Sequence, residues 1–227
     1  MKKGPHNESK RLRPAPSWNA VLVPNARTIP ELRQASANCK ACDLWKRATQ
    51  TVFGEGAPNA RIMFVGEQPG DQEDREGHPF VGPAGKLMNK ALAEAGIERT
   101  DVYVTNVVKH FSWAASGRGK RRIHKKPRYS EIRACRPWLD AELQVVKPEI
   151  LVCLGATAAQ SLLGREFSVN RQRGQLVDSS LAPYVTATVH PSSILRAPDD
   201  QSRRLQMRAF INDLKKVRHL AEKRRAA

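Results

Sequence analysis

Long apolar runs are missing from this chain: no stretch approaches the roughly 20 residues that a bilayer-spanning helix needs, so no membrane partner is expected. Acidic residues are scarce as well, 22 Asp+Glu against 39 Lys+Arg, which leaves a formal net charge of +17. Such an imbalance concentrates polyanions near the surface and favours phosphate contacts, so nucleic acid is the first partner to consider. Charge alone does not separate that reading from a ribosomal-type or membrane-surface protein, because all of them use the same attraction. A secretory leader is not legible either: Met1-Lys2-Lys3 is followed by Gly4-Pro5-His6-Asn7-Glu8, polar where an apolar stretch is required. A cytoplasmic location is therefore expected. Thiols stay reduced there, and the four cysteines read as ligands before they read as disulfides.

What is present suits one packed domain. The chain has 227 residues, 40% of them hydrophobic, enough to bury one sizeable core. Residues 1–16 are polar, basic and aperiodic and read as a flexible arm, with 17–227 as a single domain. Arg61-Ile62-Met63-Phe64-Val65 has the character of a buried parallel strand ended by Gly66, and 101–105, 149–154 and 184–189 are further strands. Helices are predicted over 84–95, 130–146, 155–163 and 202–222, with Pro137 a sign that the second kinks or starts late. Alternating strands and helices imply an α/β fold, a three-layer α/β/α sandwich on a central, mainly parallel four-stranded sheet. In such folds ligands gather at the carboxyl ends of the strands, where Glu67, Asn106 and His190 fall. The basic, glycine-containing segment from Lys109 to Arg128 has no periodicity and is long enough to be functional. No surface for self-association stands out, and a monomer is expected.

Four spaced motifs carry a resemblance: Gly66-Glu67-Gln68-Pro69-Gly70-Asp71, His78-Pro79-Phe80-Val81-Gly82, Thr105-Asn106-Val107-Val108-Lys109 and His190-Pro191-Ser192-Ser193. In this order they resemble the uracil-DNA glycosylase superfamily, especially its iron–sulfur members. With Gln68 after the glutamate and Lys120-Arg121-Arg122-Ile123-His124-Lys125 in an enlarged loop, the chain looks like the X-type branch, whose members become covalently attached to uracil-containing DNA. The resemblance implies uracil-containing DNA, with single strands preferred, as the partner.

Cys39 and Cys42 form a CxxC pair, and Cys135 and Cys153 are separated by 17 residues that form a predicted helix and strand. Four thiolates suit a [4Fe–4S] cluster or tetrahedral zinc, and spacing alone does not choose. The resemblance favours the [4Fe–4S] cluster, held in a loop that ties the N-terminal segment to the domain. Read as isolated residues, Cys135 and Cys153 are also good core fillers.

Phe80 follows a Gly-His-Pro turn where a flipped pyrimidine can stack, and the Asn106 amide both donates and accepts, matching uracil O4 and N3–H. Taken singly they would read as core and as a cap. The resemblance places His190 at uracil O2, where negative charge grows as the glycosidic bond breaks. Gln68 is a candidate to hold either the base or the loop. Ile194 or Leu195 is a candidate wedge into the base stack. Lys109, Lys120, Arg121, Arg122, Lys125, Ser192 and Ser193 are candidate phosphate contacts.

His124 sits in a run whose ordinary reading is a solvated phosphate-binding loop. The chemistry of the implied reaction gives it a second reading. Once the bond to uracil loosens, the sugar C1′ becomes an oxocarbenium-like electrophile, and a neutral imidazole held at contact distance captures it. Glu67 is then the candidate to take or steer the proton, and Asp71 a weaker one. The competing expectations are an ordinary multiple-turnover uracil-DNA glycosylase and a non-catalytic Fe–S or zinc DNA-binding protein.

Overall fold

The structure, a computed structural model, describes residues 23–25, 27–117 and 121–223; the expected arm at 1–16 and Lys120 lie outside the described residues. In chain order the helices and strands are α1 (Ile29–Ser36), β1 (Glu55–Gly56), β2 (Ile62–Gly66), α2 (Asp71–Glu76), α3 (Pro83–Ala95) and β3 (Val102–Asn106). Then come β4 (Trp113–Ala115), β5 (Arg122–His124), α4 (Tyr129–Val146), β6 (Ile150–Leu154), α5 (Gly155–Leu163) and α6 (Val169–Gln172). The last four are β7 (Leu176–Val177), β8 (Tyr184–Thr188), α7 (Pro191–Leu195) and α8 (Asp200–Lys223). No described helix is long and apolar enough to cross a membrane.

The strand order is β1-β3-β2-β6-β8-β7. The four central strands run parallel, and all residues of β2, β3 and β6 are buried, which is why each reads as an unbroken apolar run. These are the four expected strands. The sheet has six, because two-residue antiparallel strands pair on its edges, too short to leave a periodic signal. One face is covered by α1, α4 and α5, where Met63, Val65, Leu151 and Cys153 meet Trp138 and Leu139. The other face takes α3, α7 and α8, where Phe64, Val104 and Val152 meet Met88, Ile194 and Phe210. α3 begins on Pro83 and stops at Gly96, whose φ of 73° suits the left-handed cap. α4 runs unbroken through Pro137. The segment read as an aperiodic loop contains a hairpin, β4 against β5, whose three-residue arms are too short for alternation to show.

Chain connection moves from β2 to β3 on one side and then to β6 on the other, so the carboxyl ends of β2 and β6 flank the reversal of strand order, the usual crevice for a ligand. Behind it lies a buried ion pair. Lys109 Nζ donates to Glu142 Oε2 at 2.5 Å, to Thr105 Oγ1 at 2.6 Å and to the Asn106 carbonyl at 2.7 Å. Glu142 also accepts from the Tyr103 hydroxyl, from Thr105 and from the Gly54 amide. Burial of both charges is costly, and the completed hydrogen bonding on each side offsets it. Lys109 was expected at DNA phosphate; its side chain is 1% exposed, and its ammonium instead fixes the end of β3 that presents Asn106. Glu142→Ala strands that ammonium and is expected to lower unfolding free energy by about 3–5 kcal/mol in urea titrations. A loss under about 1 kcal/mol would show that the pair is not holding the strand end.

Candidate active site

A cleft of about 1020 Å³ opens at the carboxyl ends of the parallel strands. Glu67 and Gln68 enter it from the turn after β2, Asn106 from the end of β3, His124 from β5 and His190 from the turn after β8. Segments far apart in sequence thus deliver nine of the expected residues to one hollow: Glu67, Gln68, Asp71, Phe80, Asn106, His124, His190, Ser192 and Ser193.

The floor is built around Gly66. A Cβ there would lie 2.4 Å from Asn106 Oδ1, 2.9 Å from Phe80 Cζ and 3.5 Å from His190 Nε2, so these three side chains converge on one point and only glycine leaves it open. The Asn106 side chain is buried and, among the described residues, no protein group bonds its amide. A buried amide without a partner is costly, which marks a place for a ligand that both donates and accepts. Phe80 holds its ring there in a left-handed conformation, φ 59°, rare for an aromatic residue and tolerated where packing over-determines it. Gly85 makes room for it, since a Cβ at that position would meet the Phe80 carbonyl at 1.7 Å.

His190 caps α7 with its own ring: the Ser192 amide donates to Nδ1 at 3.2 Å, and the Ser192 hydroxyl lies 2.8 Å from the same nitrogen. Nδ1 is therefore an acceptor, and in the neutral ring the proton sits on Nε2, facing Asn106 and Phe80. Burial pushes this histidine down to about 4, and the charges of Arg196 and His124 act in the same direction. The arrangement offers a fixed neutral N–H donor to an oxygen in the cleft. Ser193 gives its hydroxyl to the His190 carbonyl, so both serines brace the turn. Ile194 is core, while Leu195 is partly exposed on the cleft wall, which leaves Leu195 as the wedge of the two.

His124 stands at the mouth, its side chain about half exposed, with Nε2 3.4 Å from Glu67 Oε1 and its ring 6.2 Å from that of Phe111. The hairpin bearing it is held from below. Gln68 Nε2 donates to the carbonyls of Ser112 and Lys125, each at 3.1 Å, and Gln68 Oε1 accepts from the Ser112 amide at 3.1 Å. Both amide hydrogens are used on loop backbone, so of the two roles open to Gln68, base or loop, it takes the loop. Arg122 likewise points inward. Its guanidinium binds Asp71 and reaches Asp74 at 2.5 Å, and it lies over the rings of Phe111 and Trp113. It is an anchor of the hairpin, not a phosphate contact as expected. Asp71, shared between Arg122 and Arg75, is correspondingly not a free base. Arg121 and Lys125 remain exposed as expected of backbone contacts.

Sequence reasoning passed over three supports. Glu73 accepts from the Gly70 and Gly82 amides, joining the turns on either side of α2, and its place at the third helical position was the available signal. Asp74, fully buried, holds Arg122 and the Thr49 amide. Gly155 has φ 86°, and a Cβ on it would meet the His190 Cβ at 2.8 Å.

The four cysteines gather against the α4 face of the sheet. Cys135 and Cys153 are buried there, and Cys39 and Cys42 pack against the same cluster. Cys39 Sγ accepts from Trp138 Nε1 and Cys135 Sγ from the Lys109 amide, each at 3.2 Å. Burial raises Cys135 and Cys153 to about 12, and Cys42 is also raised, so these thiols would ionise only with a cation to compensate. Four soft donors on one face of the sheet, two of them accepting N–H groups, have the chemistry that an iron–sulfur group requires. No set of three side chains that would hold a single metal ion stands among the described residues.

Comparison with known proteins agrees with this geometry. The profile of the uracil DNA glycosylase superfamily matches residues 53–215. A type-4 uracil-DNA glycosylase of Sulfurisphaera tokodaii is 37% identical over 206 residues, covering 86% of this chain and 85% of that protein. One from Thermotoga maritima is 37% identical over 186 residues, covering 82% and 90%. One from Archaeoglobus fulgidus is 36% identical over 205 residues, covering 87% and 95%.

The tautomer and the depressed proton affinity of His190 are directly measurable. At pH 5.5 its ring should give the ¹⁵N signature of a neutral Nε2–H imidazole, with protonation only near pH 4. Because the unfolded ring takes up its proton near 6.5, this residue should make stability fall as pH drops from about 6.5 to about 4 and add no further loss below. An imidazolium at pH 5.5 would refute the neutral-donor assignment.

Proposed function

The chain belongs to the uracil-DNA glycosylase superfamily, and we propose that it excises uracil from DNA, with single strands preferred, and then bonds the exposed sugar to its own His124. Uracil excision is the coarser part of this reading and follows from the family and from relatives of similar length. Capture rests on one observation: the His124 imidazole and the Glu67 carboxylate, 3.4 Å apart, share the mouth of the cleft whose floor carries Asn106, Phe80 and His190.

A uracil turned out of the base stack lies against Phe80, with its O4 and N3–H on the Asn106 amide. Single-stranded substrate avoids the cost of unpairing. As the C1′–N1 bond breaks, its electron pair goes to uracil N1 and the charge spreads to O2, where the His190 Nε2–H donates. The C1′ cation faces Glu67, which stabilises it electrostatically. In an ordinary glycosylase water completes the reaction. Here the lone pair of one His124 nitrogen forms the bond to C1′, and the proton leaves from the other nitrogen, to Glu67 when Nε2 carries it and to solvent when Nδ1 does. The product is an uncharged N-alkyl imidazole, a poor leaving group, so one protein consumes one site. Arg121 and Lys125 meet the backbone beside it.

Cys39, Cys42, Cys135 and Cys153 hold a [4Fe–4S] cluster in this reading, supported by their shared core cluster and the N–H donors on two sulfurs. The group acts structurally, linking the segment around α1 to α4 and β6.

Incubation with uracil-containing single-stranded DNA followed by denaturing electrophoresis should give a slower band at one DNA per protein, mapping to the peptide with His124. His124→Ser should lose the band yet release uracil and leave abasic DNA. Uracil released in large excess over wild-type protein, with no band, would reduce the function to multiple-turnover excision. The purified protein should absorb in the visible and contain iron, and Cys135→Ala should lose both.

A further inference from the structure

Tyr129 opens α4 three residues beyond Lys126, which lines the cleft, and its side chain is left in solvent at 57% exposure. A ring left in solvent in this way presents a flat face that a second ring can stack on. Two guanidiniums attend it. Arg165 Cζ lies 4.3 Å from the ring centroid and Arg133 Cζ 5.9 Å.

The arginines in and around α4 divide into two kinds. Arg128 and Arg136 are committed to carboxylates of their own helix, Glu131 and Asp140. Arg133 and Arg165 are exposed and have no carboxylate partner among the described residues. No carboxylate among the described residues balances their charge, and both are gathered on one exposed ring. A flat apolar surface beside two free guanidiniums complements a nucleobase joined to phosphates, the pairing that single-strand binding sites use.

Two chain paths join this feature to the cleft. Three residues from Lys126 to Tyr129 span at most about 11 Å, and Arg165 lies four residues before Val169, itself on the cleft wall. The ring is therefore within a few nucleotides of anything seated on Asn106 and Phe80. Leu195 and Arg196 also line the cleft.

We propose that Tyr129, Arg133 and Arg165 form a platform for single-stranded DNA flanking the excised base, with one nucleobase stacked on Tyr129 and adjacent phosphates held by the two arginines. The inference rests on the uracil-excision reading and extends it by giving the strand a path out of the cleft past the start of α4. Preference for single strands then has a second source besides the ease of flipping, because a paired base cannot offer its face to the ring.

The test uses the full chain and fluorescence anisotropy with single-stranded oligonucleotides in which a 2′-fluoro sugar at the uridine resists cleavage. One oligonucleotide extends six nucleotides on both sides, and two others end close to the uracil on one side or the other. Tyr129→Ala should weaken binding of the long oligonucleotide roughly 5- to 100-fold, and leave unchanged binding of whichever short one lacks the stacked base. Tyr129→Trp should retain tight binding. Replacing Arg133 and Arg165 with Gln should reduce the slope of log K against log salt by about 1.4 for the long oligonucleotide only. Equal effects on long and short oligonucleotides, or none on either, would overturn the platform. Uracil release from an ordinary short substrate reports separately on the excision reading: if that persists while Tyr129→Ala binds like wild type, only the platform fails. If the wild-type protein releases no uracil, the failure lies with excision itself, and the anisotropy series still decides whether the ring holds single strands.

Discussion

The Arg122 guanidinium turns inward, between Asp71 and Asp74 and over the rings of Phe111 and Trp113, and the position of His124 depends on it. A two-stranded hairpin with three-residue arms has little stability of its own in water. β4 and β5 keep their place because strand alternation puts Arg122 and His124 on the same face, one directed to α2 and the other to the cleft. Gln68 completes the attachment from the turn after β2, bonding one residue on each arm. The sequence neighbour of Gln68 is Glu67, so one short turn supplies the carboxylate of the site and the amide that sets the distance of the imidazole from it. Displacement of this turn would move both partners together, which preserves their separation better than two independent supports would.

The two cleft histidines differ in surroundings, and their chemistry follows from that. His190 lies half-buried in the cleft, its Nδ1 satisfied by the Ser192 amide, so desolvation favours the neutral ring and that hydrogen bond selects one tautomer. It is suited to donate a hydrogen bond and unsuited to carry a charge. His124 stands in solvent beside a carboxylate, with room for its ring to meet an incoming atom. The cost of the dry site is distributed over its supports. Gly66, Gly85 and Gly155 leave the space that Asn106, Phe80 and His190 occupy, and the Lys109–Glu142 pair fixes the end of β3 from behind. The same Lys109 donates its amide to Cys135, so the floor of the cleft and the cysteine cluster share one residue.

Much of this was legible in the chain because burial on both faces leaves an unmistakable run. Ile62 to Val65 and Ile150 to Leu154 identify themselves as central parallel strands, and the polar residues just after such runs belong to the ligand side of the sheet. Edge strands of two residues and hairpin arms of three carry too few side chains for a period to appear, so β1, β4, β5 and β7 were not visible. Site residues reached through main-chain motifs fell where expected. Lys109 and Arg122, which turn elsewhere than expected, and Gln68, for which base and loop were both open, are long polar side chains whose partners are 33 to 57 positions away in sequence, and residue type alone does not say which way such a chain turns.

This bears on how a net charge of +17 is to be understood. Lys109 is sealed inside with Glu142, Arg122 is neutralised by two aspartates, Arg61 is bound to Glu149 and Arg173 to Asp213. These cations stabilise the fold and contribute little to the field a polyanion meets. Among the described residues, Lys126 and Arg196 in the cleft lining, Lys125 next to it in sequence, and Arg133 and Arg165 by the start of α4 have no carboxylate partner and keep their full charge toward solvent. Lys126 and Arg196 lie in the cleft itself, so their field acts where a base must enter. Charge placed at a cleft orients a polyanion as well as attracting it, whereas a cation already held by a carboxylate adds little to either effect, so the total of +17 overstates what a strand meets.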